Sequence, residues 1–118
     1  MIPLMEGQPL PISALPVCIT TYFQAVNHRK GGEAAACFSF DAVVHDEEQD
    51  RIGRDAIYVW IEETSRQYQQ QAELLDATAA GNQFSVIARV SGSFPGSPVE
   101  LQYDFTVADE LITRLEID

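Results

Sequence analysis

The chain has 118 residues, 46% of them apolar, and carries eighteen Asp and Glu against seven Lys and Arg, a formal net charge of −11 at pH 7. That apolar content is enough for one globular core and excludes an intrinsically disordered chain. The charge repels phosphate backbones and anionic headgroups, so neither nucleic acid nor a membrane surface is an expected partner.

Residues 1–12 hold Pro3, Pro9 and Pro11 with no basic residue at the start, and read as an extended N-terminal arm rather than a signal peptide. A single domain is expected over 13–118. Ser13 is placed to cap a first helix with Pro16 in its first turn. Leu15, Ile19, Tyr22, Phe23 and Val26 then recur on one helical face. Arg29 and Lys30 suit the negative end of that helix, and Gly31-Gly32 suit its termination. A short alanine-rich helix is expected from Glu33 to about Ser39, and a short strand over Ala42–Asp46. Glu47 to Arg51 reads as solvated loop, because so many carboxylates cannot be buried unpaired. Gly53 opens a third helix whose inner face is Ile57, Trp60, Ile61, Thr64 and Tyr68, with Glu62 and Arg66 spaced to pair outside.

From Gln71 onward the period is two. Strands are expected over Gln71–Ala79, Gln83–Ser93, Val99–Val107 and Leu111–Ile117, separated by Ala80-Gly81-Asn82, by Phe94-Pro95-Gly96-Ser97-Pro98 and by Asp109-Glu110. The clearest strand puts Val99, Leu101, Tyr103, Phe105 and Val107 on one face and Glu100, Gln102, Asp104 and Thr106 on the other. Helices segregated from a run of hairpin-linked strands predict an α+β fold, a curved antiparallel sheet with helices on one face. Apolar residues on both strand faces, notably Ile87 and Ile112, predict a homodimer through the outer face of the sheet.

The pieces D-A-V-V-H-D, G-R-D-A-I with Trp60 downstream, F-P-G-S-P-V-E-L-Q-Y-D-F-T-V and L-I-T-R-L-E-I, in that order, resemble the nuclear transport factor 2-like superfamily. Within it the closest branches look like the SnoaL-like polyketide cyclases and the ketosteroid isomerases. The resemblance covers nearly the whole chain after Ser13. It implies a cone in which the bent sheet and the helices enclose an apolar pocket. It also implies three site positions: a tyrosine on the first helix, matching Tyr22; an aspartate base on the first strand, matching Asp46; and an acid on the penultimate strand, where this chain has Tyr103. Two tyrosine hydroxyls remain able to donate to one developing oxyanion.

Asp46 shares strand parity with Val44, which places it inward, as a carboxylate base whose proton affinity is raised by desolvation. His45 is the alternative base, because a bulge would reverse the parity. Among the aromatic residues, Trp60, Phe23, Phe84 and Phe105 are core formers and the expected ligand contacts. His28 reads as a surface residue at a helix end. Asp46, Glu48 and Asp50 alternate like calcium ligands, but Arg51 stands where the loop needs glycine and Ile57 where it needs glutamate, so no metal is expected. Two histidines give no zinc spacing, no G-x-S-x-G elbow is present, and Lys30, the sole lysine, sits at a helix end, against a Schiff base. Cys18 and Cys37 lack C-x-x-C spacing and read as buried thiols of a reducing, cytoplasmic compartment.

The expected function is a cofactor-free isomerase, cyclase or dehydratase acting on an apolar carbonyl-bearing or hydroxylated ring compound. The alternative is a non-catalytic ligand-binding or protein-interaction domain of the same fold. An inward Asp46 with tyrosine hydroxyls in the same cavity favours the first; a wholly apolar cavity favours the second.

Overall fold

Seven strands form one curved, unclosed sheet in the order β1-β4-β5-β6-β7-β2-β3 in the computed structural model, which describes residues 7–118. The strands are β1 (Gln8–Pro9), β2 (Phe38–Asp46), β3 (Gln49–Ile52), β4 (Gln71–Ala80), β5 (Gln83–Ser91), β6 (Val99–Ala108) and β7 (Leu111–Ile117). The helices are α1 (Val17–Asn27), α2 (Gly31–Ala35) and α3 (Arg54–Tyr68), with one 3-10 turn at Ile12–Ala14. The α+β expectation holds, and β4 to β7 are the expected antiparallel meander. The sheet continues past the meander: β2 runs parallel to β7 and antiparallel to β3.

The first six residues of the expected arm lie outside the described residues. From Gln8 the chain is tied down, with Gln8 and Pro9 opposite Ala79 and Thr78 and the Leu10 amide donating to the Ala77 carbonyl at 3.0 Å. Ser13 does not cap α1. It lies in the 3-10 turn, and α1 begins after Pro16, whose fixed φ and missing donor suit that boundary. The other end also differs. Arg29 itself takes a left-handed φ of 61° and ends the turn, so Gly31 and Gly32 start α2 rather than stop α1. Asn27 fastens this end of α1 to β4: its side chain donates to the Ala72 carbonyl at 2.9 Å and accepts from the Ala72 amide at 2.8 Å.

β2 starts at Phe38, four residues before the expected strand, and is irregular before Val43. The acidic run is a hairpin, not a loop. Glu47 and Glu48 both take left-handed φ, the geometry of a two-residue turn, and β3 returns antiparallel with Asp46 opposite Gln49. The carboxylates stay solvated because β3 is an edge strand, exposed along most of its length. Gly53 has a φ of 95°, open to glycine and strained for other residues, and its amide donates to the Ala42 carbonyl at 2.8 Å. That turns the chain from β3 into α3 across the face of β2. The Glu62–Arg66 pair does not form; the Glu62 carboxylate lies against Gly31 instead, which packs α3 on α2.

The core fills the space between helices and sheet. Ile19, Phe38, Ala42, Val44, Ile57, Val86, Ala88, Ile112 and Leu115 are fully buried. Ile112 therefore belongs to the inner side and not to the outer face assigned to it above. The cause is the register shift between Thr106 and Val107 in the β6–β7 pair, which lets Ile112 and Leu115, three residues apart, both point inward.

Candidate active site

At one end of the cone the helices and sheet part to leave a cavity of about 470 Å³, lined by Tyr22 from α1, Asp46 and His45 from β2, Trp60, Thr64 and Tyr68 from α3, and Val90, Leu101, Tyr103 and Ile117 from β5, β6 and β7. Phe94 and Val99, flanking the β5–β6 turn, close one wall, and Glu47, Glu48, Gln70 and Asp118 lie at the mouth. The volume and mixed lining suit a small organic ligand.

Asp46 reaches this cavity by strand alternation. Ala42 and Val44 point into the core, and Asp46 continues that side where β2 emerges from under α3. The Trp60 indole N–H donates to Asp46 Oδ2 across 3.3 Å, a long bond that still fixes the carboxylate's outlook. Arg51 holds the turn, its guanidinium donating to the Asp46 carbonyl at 2.6 Å. Burial pushes the Asp46 carboxyl above its ordinary value, and the Glu47 charge adds to the rise. The Trp60 bond, Arg51 and the Glu47 amide oppose it without cancelling it. A carboxylate moved upward in this way is a better proton acceptor near neutrality than an exposed one.

Tyr22 and Tyr103 are 3% and 5% exposed. Neither hydroxyl is hydrogen-bonded to another described residue, yet neither is sealed off as an unpaired buried atom, so both open onto the cavity that their rings line. Their rings are fixed by aromatic edges: Phe23 meets Tyr22 at 5.2 Å and Tyr103 at 5.0 Å between centroids, and Phe38 meets Tyr22 at 5.6 Å. Burial drives both phenols upward, so both are neutral donors at any physiological pH. The nearby Tyr103 and Asp46 add to the rise at Tyr22, and Asp46 adds to it at Tyr103. The cavity thus brings the Asp46 carboxyl together with two phenol hydroxyls that have no protein partner.

His45 also borders the cavity, but its Nδ1 lies 2.7 Å from Asp50 Oδ1 across the hairpin, on the solvent side of β2. Trp60 lines the cavity as expected of a ligand contact. Phe23, Phe84 and Phe105 do not. Phe23 packs behind the two tyrosines, whereas Phe84 and Phe105 border a separate depression beside Gly7 and Thr78. The cavity occupies one end of the sheet, and these rings fill the other. Conversely, Phe94, Leu101, Val90 and Ile117 line the site without having been singled out. Their only signal was inward strand parity, or in Phe94 a large apolar residue in an otherwise polar turn. Among the described residues no three His, Cys, Asp or Glu side chains converge as metal ligands, and no helix is long and apolar enough to cross a membrane. Cys18 and Cys37 are free and buried, and line a separate depression between α1 and α2.

A SnoaL-like domain model matches residues 19–115. Among solved structures, a candidate polyketide cyclase from Sinorhizobium meliloti is 38% identical, with a TM-score of 0.88 over 92% of this chain and 100% of its own. A Catenulispora acidiphila protein of ketosteroid isomerase-like fold, in complex with trimethylamine, is 19% identical, with a TM-score of 0.78 over 89% of this chain and 86% of its own. A candidate ketosteroid isomerase from Kribbella flavida is 18% identical, with a TM-score of 0.75 over 86% and 74%. At the last two identities the likeness is one of fold. No curated protein matches the chain.

Proposed function

The chain belongs to the SnoaL-like domain family, and on that premise we propose that its pocket performs cofactor-free proton transfer on a small apolar carbonyl-bearing or hydroxylated ring compound. Asp46 is the general base. It removes a proton from carbon next to the carbonyl, while Tyr22 and Tyr103 donate hydrogen bonds to the oxygen as it gains negative charge. The protonated Asp46 then returns the proton at a second carbon, which gives isomerisation; or the carbanion adds to a second carbonyl carbon to close a ring, or expels a β-hydroxyl as water, the Asp46 proton going to that oxygen in each case.

One observation carries this reading: a half-buried carboxylate and two tyrosine hydroxyls without protein partners face the same cavity. Hydroxyls open to the cavity and uncommitted to the protein are free to donate to a ligand oxygen. The test is solvent deuterium exchange at the α-carbons of 2-tetralone, followed by NMR. The wild type should accelerate exchange, and Asp46→Asn should remove the acceleration. Exchange that survives Asp46→Asn overturns the role of Asp46. Saturable ligand binding with no exchange in either protein would instead favour the ligand-binding or interaction reading.

A further inference from the structure

The charged side chains lining the cavity are all acidic. Asp46 stands inside it, and Glu47, Glu48 and Asp118 stand at its mouth; no Lys or Arg lines it. Arg51, the nearby cation, is not among the lining residues: its guanidinium donates to the Asp46 and Gln49 carbonyls of the hairpin. The lining also holds three further aromatic rings, Trp60 and Tyr68 from α3 and Phe94, which meets Tyr68 edge-on at 5.9 Å.

We propose that this pocket selects its substrate by charge, taking an apolar ring compound that carries a protonated amine toward the Glu47–Glu48 turn and rejecting carboxylates, phosphates and other anions. The inference rests on the proton-transfer reading of the same cavity and adds the substrate's charge class to it. Three physical effects point one way. A cleft lined by one sign of charge with low-dielectric walls concentrates ligands of the opposite sign. An ammonium beside aromatic faces gains cation–π attraction that a neutral group lacks. An anion entering the cavity brings like charge against Asp46 and the acids at the mouth, with no Lys or Arg among the lining residues to pair with it. The acids alone would mark only a solvated turn. The second observation is the pair of tyrosine side chains, Tyr22 and Tyr103, each more than nine-tenths buried, that line the same cavity with no protein partner for their hydroxyls. They fix one end of the ligand while the charged mouth reads the other.

The test uses three probes of one skeleton, 4-phenylbutylamine, 4-phenylbutanol and 4-phenylbutyrate, titrated against the quenching of Trp60, the sole tryptophan. The amine should bind about tenfold more tightly than the carboxylate at low salt, with the alcohol between them and the gap narrowing as salt is added. Replacing both turn acids, Glu47→Gln with Glu48→Gln, should shrink the gap and leave the alcohol unchanged. These side chains are exposed, so the double variant keeps the fold. An alcohol that binds while the amine gains nothing over the carboxylate overturns charge selection alone. So does a gap that the double variant leaves intact. Failure of all three probes overturns charge selection together with the pocket reading beneath it.

Discussion

Trp60 and Asp46 are joined by the indole N–H of α3 donating to the carboxylate of β2 at 3.3 Å. The bond crosses the boundary between helix layer and sheet at the point where the cavity begins. The donor favours the ionised carboxylate, whereas burial, the larger effect, disfavours it. Trp60→Phe keeps a ring in place and deletes the donor, so Asp46 should rise further. The acid limb of the pH–rate profile should then move to higher pH, with a stability loss of about 1–2 kcal/mol for the lost ring volume. An acid limb that stays put would separate Trp60 from the titration of Asp46.

Asp46 also makes a signed prediction for stability. Its folded-state carboxyl is raised above the unfolded value, so the folded state holds the proton more tightly. Its contribution is therefore most favourable below the ordinary aspartate range and is lost as pH rises through the raised value. Asp46→Asn preserves shape and removes the desolvated charge. The variant should equal or exceed the wild type in thermal stability at neutral pH, and the difference should vanish in acid. A variant less stable at neutral pH than in acid, relative to the wild type, would mean that the carboxylate is stabilised by its partners rather than strained by burial.

The two tyrosines should show activity loss without stability loss. Each hydroxyl lacks a protein partner, so Tyr22→Phe and Tyr103→Phe remove no hydrogen bond from the fold, and melting should change little. Each single change should lower turnover by about tenfold while the other hydroxyl still serves the oxyanion, and the double variant by about a hundredfold or more. Large melting shifts with unchanged kinetics would make the rings packing residues only.

The outer sheet face gives the prediction on assembly. With Ile112 buried, Ile87 is the apolar residue that β5 keeps on that side, among Ser85, Gln102 and Asp104 of β5 and β6. A homodimer through this face is expected, and Ile87→Glu should shift sedimentation from dimer toward monomer. A wild-type monomer at tens of micromolar would remove the idea.

The strands after Gln71 were legible because strict alternation leaves few other solutions: Val86, Ala88 and Val90, and Tyr103 with Phe105, are buried as their parity requires. The helix ends were not. Ser13 has the chemistry of a cap, but Pro11 and Pro16 set the backbone around it. The hairpin at Glu47-Glu48 carries no glycine or asparagine to announce its left-handed turn. Asp46 was legible from parity with Val44. The extent of the cavity was not, because pattern tells which residues face inward and not which of them find neighbours. Phe23 and Phe105 face inward and meet rings; Leu101 and Ile117 face inward and meet space.

The last prediction separates two neighbours on one strand. His45 and Asp46 both border the cavity, and either chemistry, imidazole or carboxylate, could accept a proton. Their surroundings differ. Asp46 is on the core side with Val44, tied to Trp60 inside the cone; His45 is turned to Asp50 on the exposed hairpin, with 37% of its side chain accessible. An exposed contact of this kind contributes little to stability. His45→Ala should therefore leave melting nearly unchanged and turnover within about threefold of wild type. Asp46→Asn should lower turnover by at least about a hundredfold, the usual scale of general-base catalysis. The two variants, assayed side by side over pH 5 to about 9, give opposite answers if the assignment is reversed. A larger loss for His45→Ala would make the imidazole the base and Asp46 its electrostatic neighbour, and equal activity in both variants would leave the cavity as a binding site without a base.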